Sequence, residues 1–256
     1  MIALIRAEWT KLFTTRLWFG MLIGGCLMAG GFAALFTAFA GQAGNNGQAL
    51  PPVGTRAYEH AAFAVSTNAT VLLLILGIIG MTQEYRHRTA TPTFLVTPRR
   101  GQVVVAKLLA YGLAAVPMGL LILATDVLVV EVYAGARGSA PALSGDNLRV
   151  LAGSWAALVV YAVIGVGVGA LLRNQVGAIV GSLVYLFVVE GIVFRAIPAI
   201  TPAFKWLPGG ALEAMTATLN DGPELLHPWQ GAVLLLGYGL LAAFLGTVLA
   251  VRRDVG

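Results

Sequence analysis

The residues that could do chemistry in this chain are few, and none of them forms a set typical of an enzyme. The three histidines, His60, His87 and His227, lie far apart and at or outside the ends of apolar runs, so no intramembrane base or histidine metal site is evident. The phosphate-binding loop Gly-x-x-x-x-Gly-Lys-Ser/Thr is missing from the sequence. We therefore predict that the chain is not an enzyme and binds no metal or cofactor of its own.

Three glycines, Gly165, Gly167 and Gly169, resemble a dinucleotide-binding signal only superficially. That signal follows a strand and opens a helix, whereas these glycines lie deep in an apolar run. Small residues at such spacing let membrane helices approach closely. We predict that they are helix-packing positions.

Glu190 is the ionisable residue with the deepest position in an apolar run, and such groups are costly in lipid. We expect it to face protein or a water-filled cavity and to reach Arg195 or a polar group on another helix. A helix-packing hydrogen bond and a role in transport are both open. Asn68 and Thr70 are interpreted in the same way, as lining of a translocation path or as helix contacts. Asp126 and Glu131 lie near the end of a run, where we expect them to be solvated.

A basic stretch between two apolar runs, residues 82–102, is the most informative segment. It is short and joins two hydrophobic runs directly, so it is a natural contact for a soluble partner. A purely topological role, in which positive charge anchors helix ends, is the alternative. The residues singled out in and beside it are Glu84, Tyr85, Arg86, Arg88, Thr89, Pro98, Arg99, Arg100 and Lys107.

The elements that must position these residues are membrane helices. Of 256 residues, 58% are hydrophobic and 11% charged, against about 25% charged in a soluble domain. Each apolar run is near the ~20 residues that cross a bilayer as a helix, and none alternates as barrel strands do. The fold class predicted is an all-α, six-transmembrane-helix bundle within one domain, 1–256, with spans at Leu17–Ala40, Ala61–Met81, Val103–Val130, Val150–Leu172, Val176–Phe194 and Trp229–Val251.

Two smaller helices are predicted outside the spans. In residues 1–16, apolar side chains recur at helical spacing opposite Arg6 and Lys11, which favours an amphipathic helix in the membrane interface; Glu8 and Trp9 belong to it. A merely cytoplasmic stub is the alternative. In residues 195–228, the segment opened by Pro208 has apolar residues at helical spacing, which predicts a short outer helix.

Charge distribution predicts the topology. Eleven of the 16 Lys and Arg residues fall on the side of the N-terminus, and short cytoplasmic loops retain such residues. Six spans then place both termini in the cytoplasm. The net charge of +5 is thus topological, and no nucleic-acid partner is expected.

Taken in order on a six-span chain, four stretches make the sequence resemble the permease subunits of bacterial type-2 ATP-binding cassette (ABC) exporters. They cover nearly the whole chain: Glu8-Trp9-Thr10-Lys11-Leu12, then Glu84-Tyr85-Arg86-x-x-Thr89 with Thr97-Pro98-Arg99-Arg100-Gly101 and Lys107, then Glu190, and finally Leu207-Pro208-Gly209-Gly210-Ala211-Leu212. Pro92 departs from the smooth helical run expected after Thr89, because proline lacks a backbone donor.

The resemblance implies a permease subunit in a bacterial plasma membrane that forms the substrate path of an exporter. A separate ATPase subunit would bind ATP and Mg²⁺ and dock on the loop after the second span. The transporter would contain a second copy of this chain or a related permease, surrounded by lipid. Glu84 to Lys107 would couple the ATPase to the membrane helices.

Another class of protein also fits, an ion-coupled secondary transporter or small channel in which Glu190 carries a proton. Broken helices in corresponding positions of two halves would support it, whereas the predicted spans show only Pro117, in one half. The polar residues of the inner spans would suit amphiphilic molecules, and a drug, a peptide or a lipid is compatible with them.

Overall fold

The computed structural model describes residues 1–42, 49–86, 100–216 and 225–253. Every regular element within those ranges is helical. Six of the described helices are long and apolar enough to cross a membrane. The predicted fold class, a six-helix membrane bundle, is confirmed.

The spans agree with the sequence prediction in number and order, and most run longer. Because polar residues continue a helix beyond its apolar part, hydropathy underestimates helix length. The six spans are Leu17–Phe39, Arg56–Arg86, Gly101–Ala136, Asp146–Leu172, Gln175–Ala196 and Pro228–Val248, the last within a helix that ends at Arg253.

The fourth span is the central helix, packed against the second, third and sixth. Its glycines make this possible. A Cβ on Gly165 would overlap the Leu74 carbonyl oxygen of the second span, and one on Gly167 would overlap the Gly239 carbonyl oxygen of the sixth. The prediction that these glycines serve close helix packing is confirmed.

Two spans are irregular. The second contains a 3-10 segment, Val65–Ala69, between its α-helical parts. The fifth changes to a π-helix at Val184–Val193. Such departures from α geometry are often found at functional sites, and Asn68 and Glu190 lie within these two segments.

Two short helices lie outside the spans. The N-terminal helix is Ile2–Thr14, and it packs against the start of the third span. A short helix, Pro208–Thr216, follows the 3-10 turn Thr201–Trp206 and packs against the sixth and fourth spans. Both predicted helices are therefore present. The part of the 195–228 segment from 217 to 224 lies outside the described residues.

Candidate functional sites at the two ends of the bundle

The first site is a closed ring of alternating charge formed by Glu8, Lys11, Glu84 and Lys107. The Lys107 Nζ lies 2.5 Å from Glu8 Oε2 and 3.1 Å from Glu84 Oε1. The Lys11 Nζ lies 2.6 Å from Glu8 Oε1 and 3.0 Å from the same Glu84 oxygen. Each ammonium thus contacts both carboxylates, and the ring as a whole is neutral.

The ring joins three elements at one end of the bundle, which we call the loop end because segment 87–99 connects the second and third spans there. Glu8 and Lys11 belong to the N-terminal helix, Glu84 to the last turn of the second span, and Lys107 to the start of the third span. Lys107 is 0% exposed and also donates to the Gly80 carbonyl oxygen at 3.1 Å. Both carboxylates are buried as well.

The charges satisfy one another almost completely. Removing one partner of such a buried set leaves an unpaired charge, at a cost of about 3–5 kcal/mol. Burial alone lowers the pKa of Lys11, but hydrogen bonds from its ammonium to Glu8 and Glu84 outweigh that effect and raise the pKa. The helical spacing places Lys11 on the polar face of an amphipathic helix; the structure instead turns its ammonium into the ring, with 43% of the side chain exposed.

The predicted coupling residues lie in different environments. Glu84 and Lys107 are buried, so they contact helices rather than a soluble partner. Arg86 donates to Gln175 at 3.4 Å, at the start of the fifth span. Arg173 lies in the turn between the fourth and fifth spans, and its guanidinium lies over the Tyr85 ring, 6.0 Å from the ring centroid. Arg100 is the first residue of the helix that contains the third span. The other predicted coupling residues, Arg88, Thr89, Pro98 and Arg99, lie outside the described residues, as does Pro92.

Trp9 lies on the outer side of the N-terminal helix and is partly exposed. Its ring lies 4.8 Å from that of Phe13, which in turn lies 5.1 Å from Trp18 at the start of the first span. Aromatic side chains of this kind are typical of a membrane interface. The stack connects the N-terminal helix to the first span.

The second site is built around Glu190, at the opposite end of the bundle, which we call the far end. Its carboxylate is 2% exposed. Oε2 accepts a hydrogen bond from the Gly209 N–H at 2.5 Å, in the first turn of the short helix. Backbone N–H groups in that turn have no partner within the helix, so the carboxylate caps it. A Cβ at position 209 would meet Glu190 Oε2, so a larger residue there would require the carboxylate to shift.

The other carboxylate oxygen, Oε1, has no hydrogen-bond partner among the described residues. The Tyr185 hydroxyl on the same helix is near enough to turn toward the carboxylate. Arg195, the partner expected from the sequence, forms an ion pair with Glu213 instead. Glu190 is therefore half satisfied, in contrast to the ring.

Asn68 and Thr70 come together with Glu190 in the lining of one cavity of about 160 Å³. The cavity lies between the 3-10 segment of the second span, the π-helix of the fifth and the short helix. Thr70 is buried and Asn68 is exposed. The three residues that sequence analysis assigned to a path or to helix contacts thus share one site.

Asp126 was expected to be a solvated surface group, and that prediction is wrong. Its side chain is 0% exposed, and neither carboxylate oxygen has a hydrogen-bond partner among the described residues. The helix of the third span continues for ten residues beyond Asp126, to Ala136. Asp126 therefore lies inside the bundle rather than at its surface. Ser66, in the 3-10 segment, faces it, although the Ser66 hydroxyl donates to the Phe63 carbonyl oxygen.

Sequence reasoning missed the ring as a unit, although it named all four members. Glu8 and Lys107 are 99 positions apart, and nothing in local periodicity relates them. One signal was available: Lys107 lies seven residues inside its helix, where a lone ammonium would need an acidic partner.

A comparison of the sequence with models of known protein families finds no match, and a comparison with curated proteins finds none either. The resemblance to ABC permeases therefore stays a prediction from the four stretches of sequence.

Proposed function

We propose that this chain is the permease subunit of an ABC exporter, driven by a separate ATPase subunit that docks at the loop end. The observation that carries this proposal is the ion ring. It ties the N-terminal helix to the two helices that flank segment 87–99. A force applied to that segment would move these three helices as one body.

Further contacts connect the end of the second span to the start of the fifth span. Arg86 contacts Gln175, and Tyr85 contacts Arg173. The fifth span carries Glu190 and the cavity at the far end. Motion at the loop end would therefore reach the far-end cavity through the second and fifth spans.

The proposed assembly contains two permease chains and two ATPase subunits. ATP and Mg²⁺ would be bound by the ATPase, not by this chain. Among the six spans the fifth is the least buried within one chain, which leaves surface for a second copy, for a related permease or for lipid. The resemblance to bacterial exporters supports a location in a bacterial plasma membrane, and the distribution of positive charges supports cytoplasmic termini.

The first check is whether a reading frame beside this gene encodes an ATPase with a phosphate-binding loop. The experiment is then to purify the chain together with that ATPase and to measure the mass of the complex and its ATPase activity in vesicles. Reversing Arg99 and Arg100 to Glu should lower the activity while membrane insertion is retained. The matched control reverses two exposed far-end arginines, Arg56 and Arg149, and should leave the activity unchanged.

Two results would contradict the proposal. One is a stable monomer that transports without an ATPase. The other is unchanged assembly and activity in the Arg99, Arg100 double variant, which would reduce the loop to a topological anchor.

The second candidate function is an ion-coupled transporter, and the irregular helices favour it. If the chain is divided into two groups of three spans, the second and the fifth occupy corresponding places. Both are irregular, at Val65–Ala69 and Val184–Val193, and both line the Glu190 cavity. Interrupted helices in corresponding positions are a pointer to a transporter's binding site.

Vesicles in which ATP and the proton gradient are varied separately distinguish the two functions. Export that requires ATP and survives loss of the gradient supports the ABC permease. Transport that follows the gradient and is abolished in Glu190→Gln supports the secondary transporter and overturns the first proposal.

A further inference from the structure

The far-end cavity offers mainly hydrogen-bond acceptors to a ligand. A hydroxyl has one hydrogen to donate, and three lining hydroxyls donate theirs to backbone carbonyl oxygens: Thr67 to Ala64 at 2.6 Å, Thr70 to Thr67 at 2.6 Å and Tyr161 to Pro208 at 3.4 Å. Asn68 uses one N–H on the Val65 carbonyl oxygen, and its Oδ1 is an acceptor. These hydroxyl oxygens and the Asn68 Oδ1 can therefore accept hydrogen bonds from a ligand that carries donors.

The acidic residue in the described lining of the cavity is Glu190. Glu190 is buried, and its Oε1 has no hydrogen-bond partner among the described residues. The one cation in the lining, Arg195, is paired with Glu213 and lies over the Phe204 ring at 5.1 Å. Because its side chain is 57% exposed, its charge is further screened by solvent. A positively charged donor would complete the site.

The volume suits a small polar head group. The cavity measures about 160 Å³, close to the ~150 Å³ of a cavity that holds one benzene molecule. A primary ammonium group with its first carbons fits that space.

A second, mainly apolar cavity of about 320 Å³ adjoins the first. The two share Tyr161 and Leu186 in their linings. The apolar cavity lies between the second, fourth, fifth and sixth spans and is lined by residues such as Leu74, Ile164, Val168 and Tyr238. It can hold an alkyl chain whose head lies in the Glu190 cavity.

We propose that the two cavities form one binding site for a cationic amphiphile, namely a primary ammonium head on a single apolar chain. The ammonium donates to Glu190 Oε1 and to the oxygens of Thr67 and Thr70. The alkyl chain of the ligand lies in the apolar cavity. That this ligand is the transported substrate rests on the proposed function; that it binds does not.

The test uses the full chain in lipid nanodiscs, without any ATPase, and saturable binding of dodecylamine as the probe. Dodecanol and dodecyltrimethylammonium are the comparison ligands, because the first lacks the charge and the second lacks N–H donors. We expect dodecylamine to bind at least about tenfold more tightly than either, the scale of one charge-assisted hydrogen bond.

Glu190→Gln keeps an acceptor for Gly209 and removes the charge, so the short helix should stay capped while dodecylamine affinity falls about tenfold or more. Thr70→Val should weaken binding by a smaller factor. Glu131→Gln is the matched control, since this half-buried carboxylate lines neither cavity, and its affinity should equal that of the wild type.

Equal binding of dodecylamine and dodecanol, wild-type affinity in Glu190→Gln, or the absence of saturable binding would each overturn the site. The last result would mean that the cavity holds water. Binding of dodecylamine without ATP-driven transport would leave the site standing and contradict the proposed function. ATP-driven assembly and activity without amine binding would contradict the binding site and leave the proposed function standing.

Discussion

The two ends of the bundle bury carboxylates in different ways. At the loop end, Glu8 and Glu84 share two ammonium groups, and each charge has an opposite charge within 3.1 Å. Toward the far end, Glu190 has one satisfied oxygen and Asp126 has none among the described residues. All four of these carboxylate residues are nearly inaccessible to solvent, so the difference lies in their partners rather than in their burial.

This difference separates a structural connection from a candidate binding site. In the ion ring every charge has an opposite charge beside it, and the members depend on one another for stability. A half-satisfied carboxylate costs free energy until a proton, a cation or a donor reaches it. The ion pairs of the loop end connect helices to one another, whereas Glu190 at the far end keeps an oxygen without a hydrogen-bond partner among the described residues.

Lys107→Met should have the largest effect on stability. The change removes from the buried Glu8 and Glu84 the ammonium that contacts both of them, which should cost about 3–5 kcal/mol. Unfolding by SDS, followed by circular dichroism, measures it. Arg149→Met is the control, because the Arg149–Asp146 pair is exposed and should contribute under about 1 kcal/mol. Equal losses in both variants would contradict the distinction.

The same isosteric change should have opposite outcomes in the two regions. Glu8→Gln removes a charge that two lysines need, and should lower the free energy of unfolding by about 1.5–3 kcal/mol. Asp126→Asn removes a charge that no described partner needs, and should leave stability unchanged or raise it. A buried carboxylate without a cation is stable only as the neutral acid, which Asn resembles. A large loss in Asp126→Asn would instead indicate a bound cation.

Glu190 should fall between these extremes. Glu190→Gln should be tolerated by the fold because Gln can still accept from the Gly209 N–H, while Glu190→Leu should cost about 1 kcal/mol, the scale of intramembrane hydrogen bonds. Gly209→Ala should resemble Glu190→Leu, since its Cβ would displace the carboxylate. Gly181→Ala, where a Cβ meets nothing within 4 Å, is the control. Thermal unfolding of the four variants in one detergent compares them.

Much of this architecture follows from the sequence because the bilayer imposes it. The number of spans, their order and the close-packing glycines are consequences of hydrophobic length and of small residues. The short helix at Pro208–Thr216 also followed from periodicity and from the proline at its start. Asn68, Thr70 and Glu190 were found as polar residues within apolar runs, which is a local signal.

What sequence reasoning missed depends on contacts between distant segments. Asp126 was assigned to the surface because the end of the apolar run was taken for the end of the helix. The pairing of Glu8 with Lys107 and the capping of Pro208–Thr216 by Glu190 are tertiary contacts that no local pattern contains. The irregular segments at Val65–Ala69 and Val184–Val193 have apolar or neutral sequences that a regular helix would also accept.

The smallest effect should come from Lys11 and should depend on pH. Its pKa is raised in the folded state above the ordinary value of 10.5, so the stability that its charge contributes is complete below that pH and is lost as the pH rises through the folded pKa. Because the side chain is 43% exposed, we expect the contribution to stay under about 1 kcal/mol. Lys11→Arg should keep it, since arginine remains charged above pH 12.

Unfolding midpoints of the wild type and Lys11→Arg should therefore agree at pH 8 and diverge above pH ~10.5, with the variant more stable. Lys107 is present in both proteins, so its contribution cancels in the difference. Lys205→Arg, at the far end, should follow the wild type at every pH. Divergence in Lys205→Arg as well would mean that arginine stabilises the chain generally. No divergence in Lys11→Arg would mean that Lys107 alone holds the two carboxylates, and that the N-terminal helix is tied to the bundle through Glu8.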